Sequence, residues 1–103
     1  MTKKRLQPDD RKQQILTAAI RVAARPGGWS KLTRDAVAKE AGCAEGLVSK
    51  YFGTMITFRR SIMRAAIGAE NLAVVAQGLA AGDASAKKAD PELKARALST
   101  LAG

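Results

Sequence analysis

Apolar side chains in this chain recur three and four positions apart, in runs cut by glycine, and that pattern admits few folds besides a small helical bundle. The first stripe is Ile15, Ala18, Ala19 and Val22, widened by Leu16, Ile20 and Ala23. It predicts a helix from about Asp10 to Arg25, with Asp9 or Asp10 able to cap its start and Pro26-Gly27-Gly28 ending it. Trp29 follows and is expected to pack over the helix junction. Thr33 suits the N-cap of a second helix, Asp35 its first turn, and Val37, Ala38 and Ala41 its inner face. Gly42 fits the left-handed position that ends a helix, and a third segment, Glu45 to Phe52, turns Val48, Tyr51 and Phe52 inward. Gly53 closes it and Thr54 caps a longer helix with Phe58, Ile62, Ala65, Ala66 and Ala69 on one face and Arg59, Arg60 and Arg64 outside. Beyond it the spacing predicts a helix near Asn71 to Leu79, a small polar linker over 83–89, and a last helix started by Asp90-Pro91-Glu92. No strand-type alternation interrupts these runs, so the expected class is all-α.

Composition narrows the chemistry. Aromatics are only 4% of the residues, so the core is built from Ala, Leu, Ile and Val. With no histidine and one cysteine, a disulfide framework, a Cys/His zinc cluster, a Ser-His-Asp triad and a Cys-His pair cannot be assembled within the chain. Paired acids at a suggestive spacing are absent too, so an enzyme ranks last among the functional classes, and no cofactor or metal is implied. Cys43 reads as a small buried hydrophobe.

Charge separates the chain into two parts. Through Arg64 there are fourteen basic side chains against five acidic ones, and from Ala65 onward four against four, so the whole net charge of +9 belongs to the first two thirds. A basic segment followed by a neutral one points to a polyanion-binding part and a part with another job. Lys3, Lys4 and Arg5 are followed by Leu6, Gln7, Pro8, Asp9 and Asp10 rather than an apolar run, which does not resemble a secretory signal. The most apolar stretch, Ala65 to Gly82, is interrupted by Glu70, Asn71 and Gln77 and falls short of the roughly 18 to 20 apolar residues of a membrane span. The expectation is a soluble cytoplasmic protein.

Two short helices joined through a glycine turn make the helix-turn-helix pattern. Taken with Arg11, Ile15-Leu16, Ala18-Ala19, Gly28-Trp29, Thr33, Val37-Ala38, Ala41-Gly42, Gly46, Val48 and Tyr51-Phe52 at their spacings, the chain resembles the DNA-binding half of TetR-family transcriptional regulators over roughly residues 10–60. The resemblance implies that the third helix enters the major groove, that the start of the fourth contacts the backbone, and that the protein is a dimer. Four positions depart from the usual pattern: Ala44 where the family has a Ser cap, Leu47 for Thr, Ser49 for a phosphate-touching Tyr, and Met55 for Lys.

The expected readers are Glu45, Gly46, Leu47, Ser49 and Lys50 on the outward side of the third helix. Gly46 lets the backbone approach, Lys50 suits guanine O6/N7 or a phosphate, Ser49 a phosphate or base edge, Leu47 a thymine methyl, and Glu45 a cytosine amino group. Thr33, Arg34, Ala44, Tyr51 and Thr54 complete the candidate DNA contacts, with Arg59, Arg60 and Arg64 as further phosphate anchors. Lys3, Lys4 and Arg5 suit a basic arm along the minor groove or phosphates, or a plain solubilising tail.

The expected organisation is a flexible basic tail over 1–9, a DNA-binding head over 10–69 and a short helical dimerisation segment over 70–103. Leu72, Val74, Val75, Leu79, Leu93, Leu98 and Leu101 exceed what the head needs to cover itself and are the expected dimer interface, with an intramolecular cluster as the alternative. About forty residues cannot enclose a ligand pocket of roughly 300 Å³, so no small-molecule effector is expected. The reading is a sequence-specific double-stranded DNA-binding regulator, a small dimeric repressor or autorepressor on a palindromic operator, of the compact kind that suits a phage or plasmid. The alternatives are a helical protein-protein adaptor and an activator using the same head.

Overall fold

The computed structural model describes residues 8–102, and within them every regular element is an α-helix. In chain order these are α1 (Pro8–Ala24), α2 (Arg34–Ala41), α3 (Glu45–Phe52), α4 (Met55–Gly68), α5 (Leu72–Ala81), α6 (Ala84–Lys87) and α7 (Pro91–Ala102). None of these helices is long and apolar enough to cross a membrane.

Local chemistry sets most boundaries. α1 begins two residues earlier than its apolar stripe implies: Pro8 stands at its first position, where a missing N–H costs nothing, and Asp9 and Asp10 lie in the first turn. The side chains of Thr33, Thr54, Asn71 and Asp83 accept hydrogen bonds from the backbone N–H three residues on, capping α2, α4, α5 and α6. Asp90 does the same for α7 through the N–H groups of Glu92 and Leu93. Gly42 ends α2 at φ 71°, ψ 35°, and the Cys43 N–H returns to the Ala38 carbonyl at 3.0 Å. Cys43 is half-buried with its side chain packed on the core, rather than fully enclosed as the sequence suggested, because it occupies the position just past that cap. The stretch expected as a polar linker, 83–89, holds the single-turn α6 with Ala86 and Ala89 buried. Asp83 nucleates that turn and alanine lets it lie close against α4 and α5.

One hydrophobic cluster runs through the molecule. Ile15, Val37, Val48, Phe58, Ile62, Met63, Val74 and Val75 are fully buried, and Ala86 and Ala97 belong to the same cluster. Each large aliphatic or aromatic side chain enclosed there contributes roughly 1.5 to 3 kcal/mol. Phe52 and Phe58 stack with ring centroids 4.9 Å apart, tying α3 to α4. Gly78 lies where α5 crosses α4 and α6, and a β-carbon there would force the Met63 methyl to shift and press on Ala86.

Two polar side chains hold the segment between α1 and α2. Gln77, half-buried on α5, donates from Nε2 to the Ala23 carbonyl (2.8 Å) and the Arg25 carbonyl (2.9 Å). Its Oε1 accepts from the Trp29 N–H at 2.9 Å. From α4 the Arg59 guanidinium donates to the Trp29 carbonyl (2.6 Å) and the Leu32 carbonyl (3.3 Å) and lies 5.0 Å from the centre of the Trp29 ring. Trp29 is buried at this junction, as its size predicts. Gly28 beside it has no substitute, because a β-carbon would collide with the Val22 carbonyl oxygen.

The expected dimer interface is largely interior. Val74, Val75 and Leu93 are buried, and Leu72 and Leu79 pack half-buried against the core. α5 lies along α7 and α4, so the short C-terminal helices cover one another and the head before any second copy arrives. Only Leu98 (49% exposed) and Leu101 (54%) remain open among those seven.

Candidate nucleic-acid interface

α3 is an eight-residue helix whose two sides differ sharply. Val48 and Phe52, four apart, are buried against the rest of the fold, while Glu45, Gly46, Ser49 and Lys50 are exposed. Beneath it α2 presents Val37, Ala38 and Ala41, all buried, and small side chains at the crossing bring the two helices close. Gln14 of α1 donates to the Ala41 carbonyl at 3.2 Å and so holds the end of α2 against α1. The pair is therefore a rigid mount for an outward surface made of the Glu45, Ser49 and Lys50 side chains and the bare backbone of Gly46.

Leu47 departs from its expected outward position on that surface, whereas Tyr51 turns toward the core as its spacing predicts. Both are half-buried, and Tyr51 packs against the core while the Lys50 ammonium lies 5.8 Å from its ring centre. The phenol is thus a wall of the site more than a free arm. Ala44 occupies the N-cap of α3 in extended conformation and makes no side-chain cap bond, as alanine dictates, so the helix start relies on Glu45 in its first turn.

A second group of expected contact residues converges where the start of α2, the end of α3 and the start of α4 meet. Thr33 and Thr54 are exposed N-caps whose hydroxyl oxygens accept from the N–H groups of Ala36 (3.1 Å) and Thr57 (3.2 Å). The Thr54 hydroxyl donates in turn to Thr57 Oγ1 at 3.1 Å. Arg34 is turned inward: one terminal nitrogen donates to the Gly53 carbonyl at 3.3 Å, and its Nε is buried without a hydrogen-bond partner. It fixes the α3–α4 joint. Ile56, in the first turn of α4, is 74% exposed next to this joint and is not marked by any sequence pattern. Lys3, Lys4 and Arg5 lie outside the described residues.

The cations of the head are unevenly engaged. Glu40 draws in Arg25 (2.5 Å) and Arg21 (3.2 Å), whose hydrogen bonds hold its carboxyl below the usual carboxylate range. Lys39 pairs with Asp35 at 3.1 Å, one turn away on the same helix. Lys12, Lys31, Lys50, Arg60 and Arg64 have no ion-pair partner among the described residues. Arg59, expected as a phosphate anchor, is instead bonded to the two loop carbonyls described above, because its place on α4 faces the α1–α2 segment.

Sequence reasoning missed Gln77 and Arg59 as structural anchors. For Gln77 a signal existed: a lone amide between buried Ala76 and Gly78 in an otherwise apolar helix requires partners, since an unpaired amide in such a place is costly. Comparison with protein-family models, with curated proteins and with solved structures finds no match for this chain.

Proposed function

We propose that the chain is a sequence-specific double-stranded DNA-binding regulator of transcription, a small repressor that acts by occupancy at an operator in the nucleoid, with α3 as the reading helix. The observation that carries this reading is α3 itself, braced on α2 through Val37, Ala38 and Val48 while Glu45, Gly46, Ser49 and Lys50 stand exposed with Lys50 unpaired among the described residues. A protruding helix on a rigid mount suits the major groove, and its small Gly46 and Ser49 allow close approach to base edges. The +9 charge held by the first two thirds of the chain supports phosphate attraction. The resemblance to TetR-family heads in the spacing from Arg11 to Phe52 supports the same orientation. Dimerisation through a second copy belongs to the proposal, with Leu98 and Leu101 as the apolar side chains left to meet it.

Titrating salt against binding to duplex DNA tests the reading. A steep loss of affinity with rising salt is expected, whereas no binding at low salt would leave the adaptor reading in its place. On a selected operator, Lys50→Ala is expected to cost about 1 to 3 kcal/mol of affinity with an unchanged melting temperature. Leu47→Ala is expected to relax preference at one base pair, and Val48→Asp to abolish binding by unfolding the pair. If Lys50→Ala and Leu47→Ala bind as well as the parent, α3 does not read the groove.

A further inference from the structure

The charge balance of the sequence hides a convergence that the fold creates. Arg60 and Arg64, one turn apart on α4, line a concavity of about 440 Å³ together with Ile67, Ala84, Ser85 and Lys88. Lys88 comes from the part of the chain that carries no net charge, and it reaches this place because α6 folds back on α4 with Ala86 buried at the contact. All three cations are exposed, and none has an ion pair or hydrogen bond to a described residue. Of the acidic side chains close in sequence, Asp83 caps α6 through the Ala86 N–H at 2.9 Å, Asp90 caps α7, and Glu70 pairs with Arg96 at 3.0 Å, while Glu92 is exposed and does not line the hollow.

We propose that this concavity is a phosphate-binding site, with Arg60, Arg64 and Lys88 as the anion ligands and the Ser85 hydroxyl as a further donor. Three like charges held around one hollow repel each other, and an anion placed among them removes that repulsion while each contact adds to its own binding. Guanidinium groups favour phosphate over a spherical anion because their paired N–H donors match two phosphate oxygens, and the lysine adds a point charge. The half-buried Ile67 gives the hollow one apolar wall, which suits a phosphate carried on a larger body. Such a phosphate can belong to a phosphorylated small molecule or to a nucleic-acid backbone. The site stands independently of the α3 reading, since none of its residues lies on α3.

Isothermal titration calorimetry of the full chain with pyrophosphate at low salt, with chloride and sulfate at matched ionic strength as references, is the test. Saturable one-to-one binding of pyrophosphate is expected. Arg64→Gln and Lys88→Gln are each expected to weaken it by about tenfold. Lys31→Gln, which does not line the hollow, serves as the charge-matched control and is expected to leave it unchanged. Thermal melts of each variant keep folding separate from binding, which is straightforward because the substituted side chains are exposed. Absence of saturable binding by the parent overturns the proposal, as does equal weakening by Lys31→Gln. The source is read from a second arm with random duplex: displacement of duplex by pyrophosphate and a matching loss in Lys88→Gln assign the phosphate to a nucleic-acid backbone, and duplex binding indifferent to both assigns it to a small ligand.

Discussion

The α2–α3 pair and the α5–α7 region contain similar helices, but they are held in place by different means. In α2–α3 the restraints are local: a Thr33 cap, a left-handed Gly42, and Val37, Ala38 and Val48 meeting across a short turn. The outward polar groups of α3 are left open, whereas Asp35, Lys39 and Glu40 of α2 are ion-paired. In α5–α7 several polar groups are turned back on the fold, Gln77 on three backbone groups around the α1–α2 segment, Arg96 on Glu70, and the Lys94 ammonium on the Lys87 carbonyl at 2.9 Å, while Lys88 stays open. The neutral third of the chain is thus an internal brace for the basic two thirds. A surface built for partners keeps unsatisfied donors and charges, whereas a brace satisfies its own.

The largest effect expected from this comparison comes from removing the brace. Ending the chain at Ala69 strips Val74, Val75 and Ala76 from the shared cluster and removes Gln77 from the Trp29 junction, so cooperative melting by circular dichroism is expected to disappear. A truncated chain that melts like the parent would make the two regions independent. A smaller change probes the clamp alone. Gln77→Leu leaves the Trp29 N–H and the Ala23 carbonyl without their partner, while the Arg25 carbonyl keeps the Gly28 N–H at 2.7 Å; the expected loss is about 1 to 3 kcal/mol with a shift in Trp29 fluorescence. A loss under about 0.5 kcal/mol would place the junction's stability elsewhere.

Sharpening the other side of the comparison calls for a stabilising change. Ala44→Ser supplies the cap that α3 lacks and is expected to raise stability by about 1 kcal/mol, read as a higher denaturant midpoint at constant slope. The smallest effect is electrostatic. Arg25 and Arg21 depress the Glu40 carboxyl below its ordinary value, so the folded state binds fewer protons there than the unfolded chain. The resulting stability is present above pH of about 4.5 and is lost as pH falls through the depressed folded value; Glu40→Gln is expected to flatten that part of the pH–stability curve. Partial solvent exposure of all three side chains keeps the effect small.

What the chain determined by its residue order is everything that acts within about one helical turn. Thr33 and Thr54 cap the helices that their positions announce, Gly42 and Gly53 end α2 and α3, and Asp90-Pro91 starts α7, because a cap or a left-handed turn needs only neighbours three or four residues away. The buried sides of α2 and α3 were legible for the same reason, since helical periodicity is itself a short-range property. The C-terminal leucines and valines were legible as apolar but not as interior, because burial depends on which helix arrives to cover them. Only the tertiary structure decided that Gln77 and Arg59 clamp a loop 27 to 54 residues away, and that Lys88 joins Arg60 and Arg64 around one hollow. Long side chains reach whatever the packed helices bring near, and that meeting is set by how one core closes on itself rather than by any spacing along the chain.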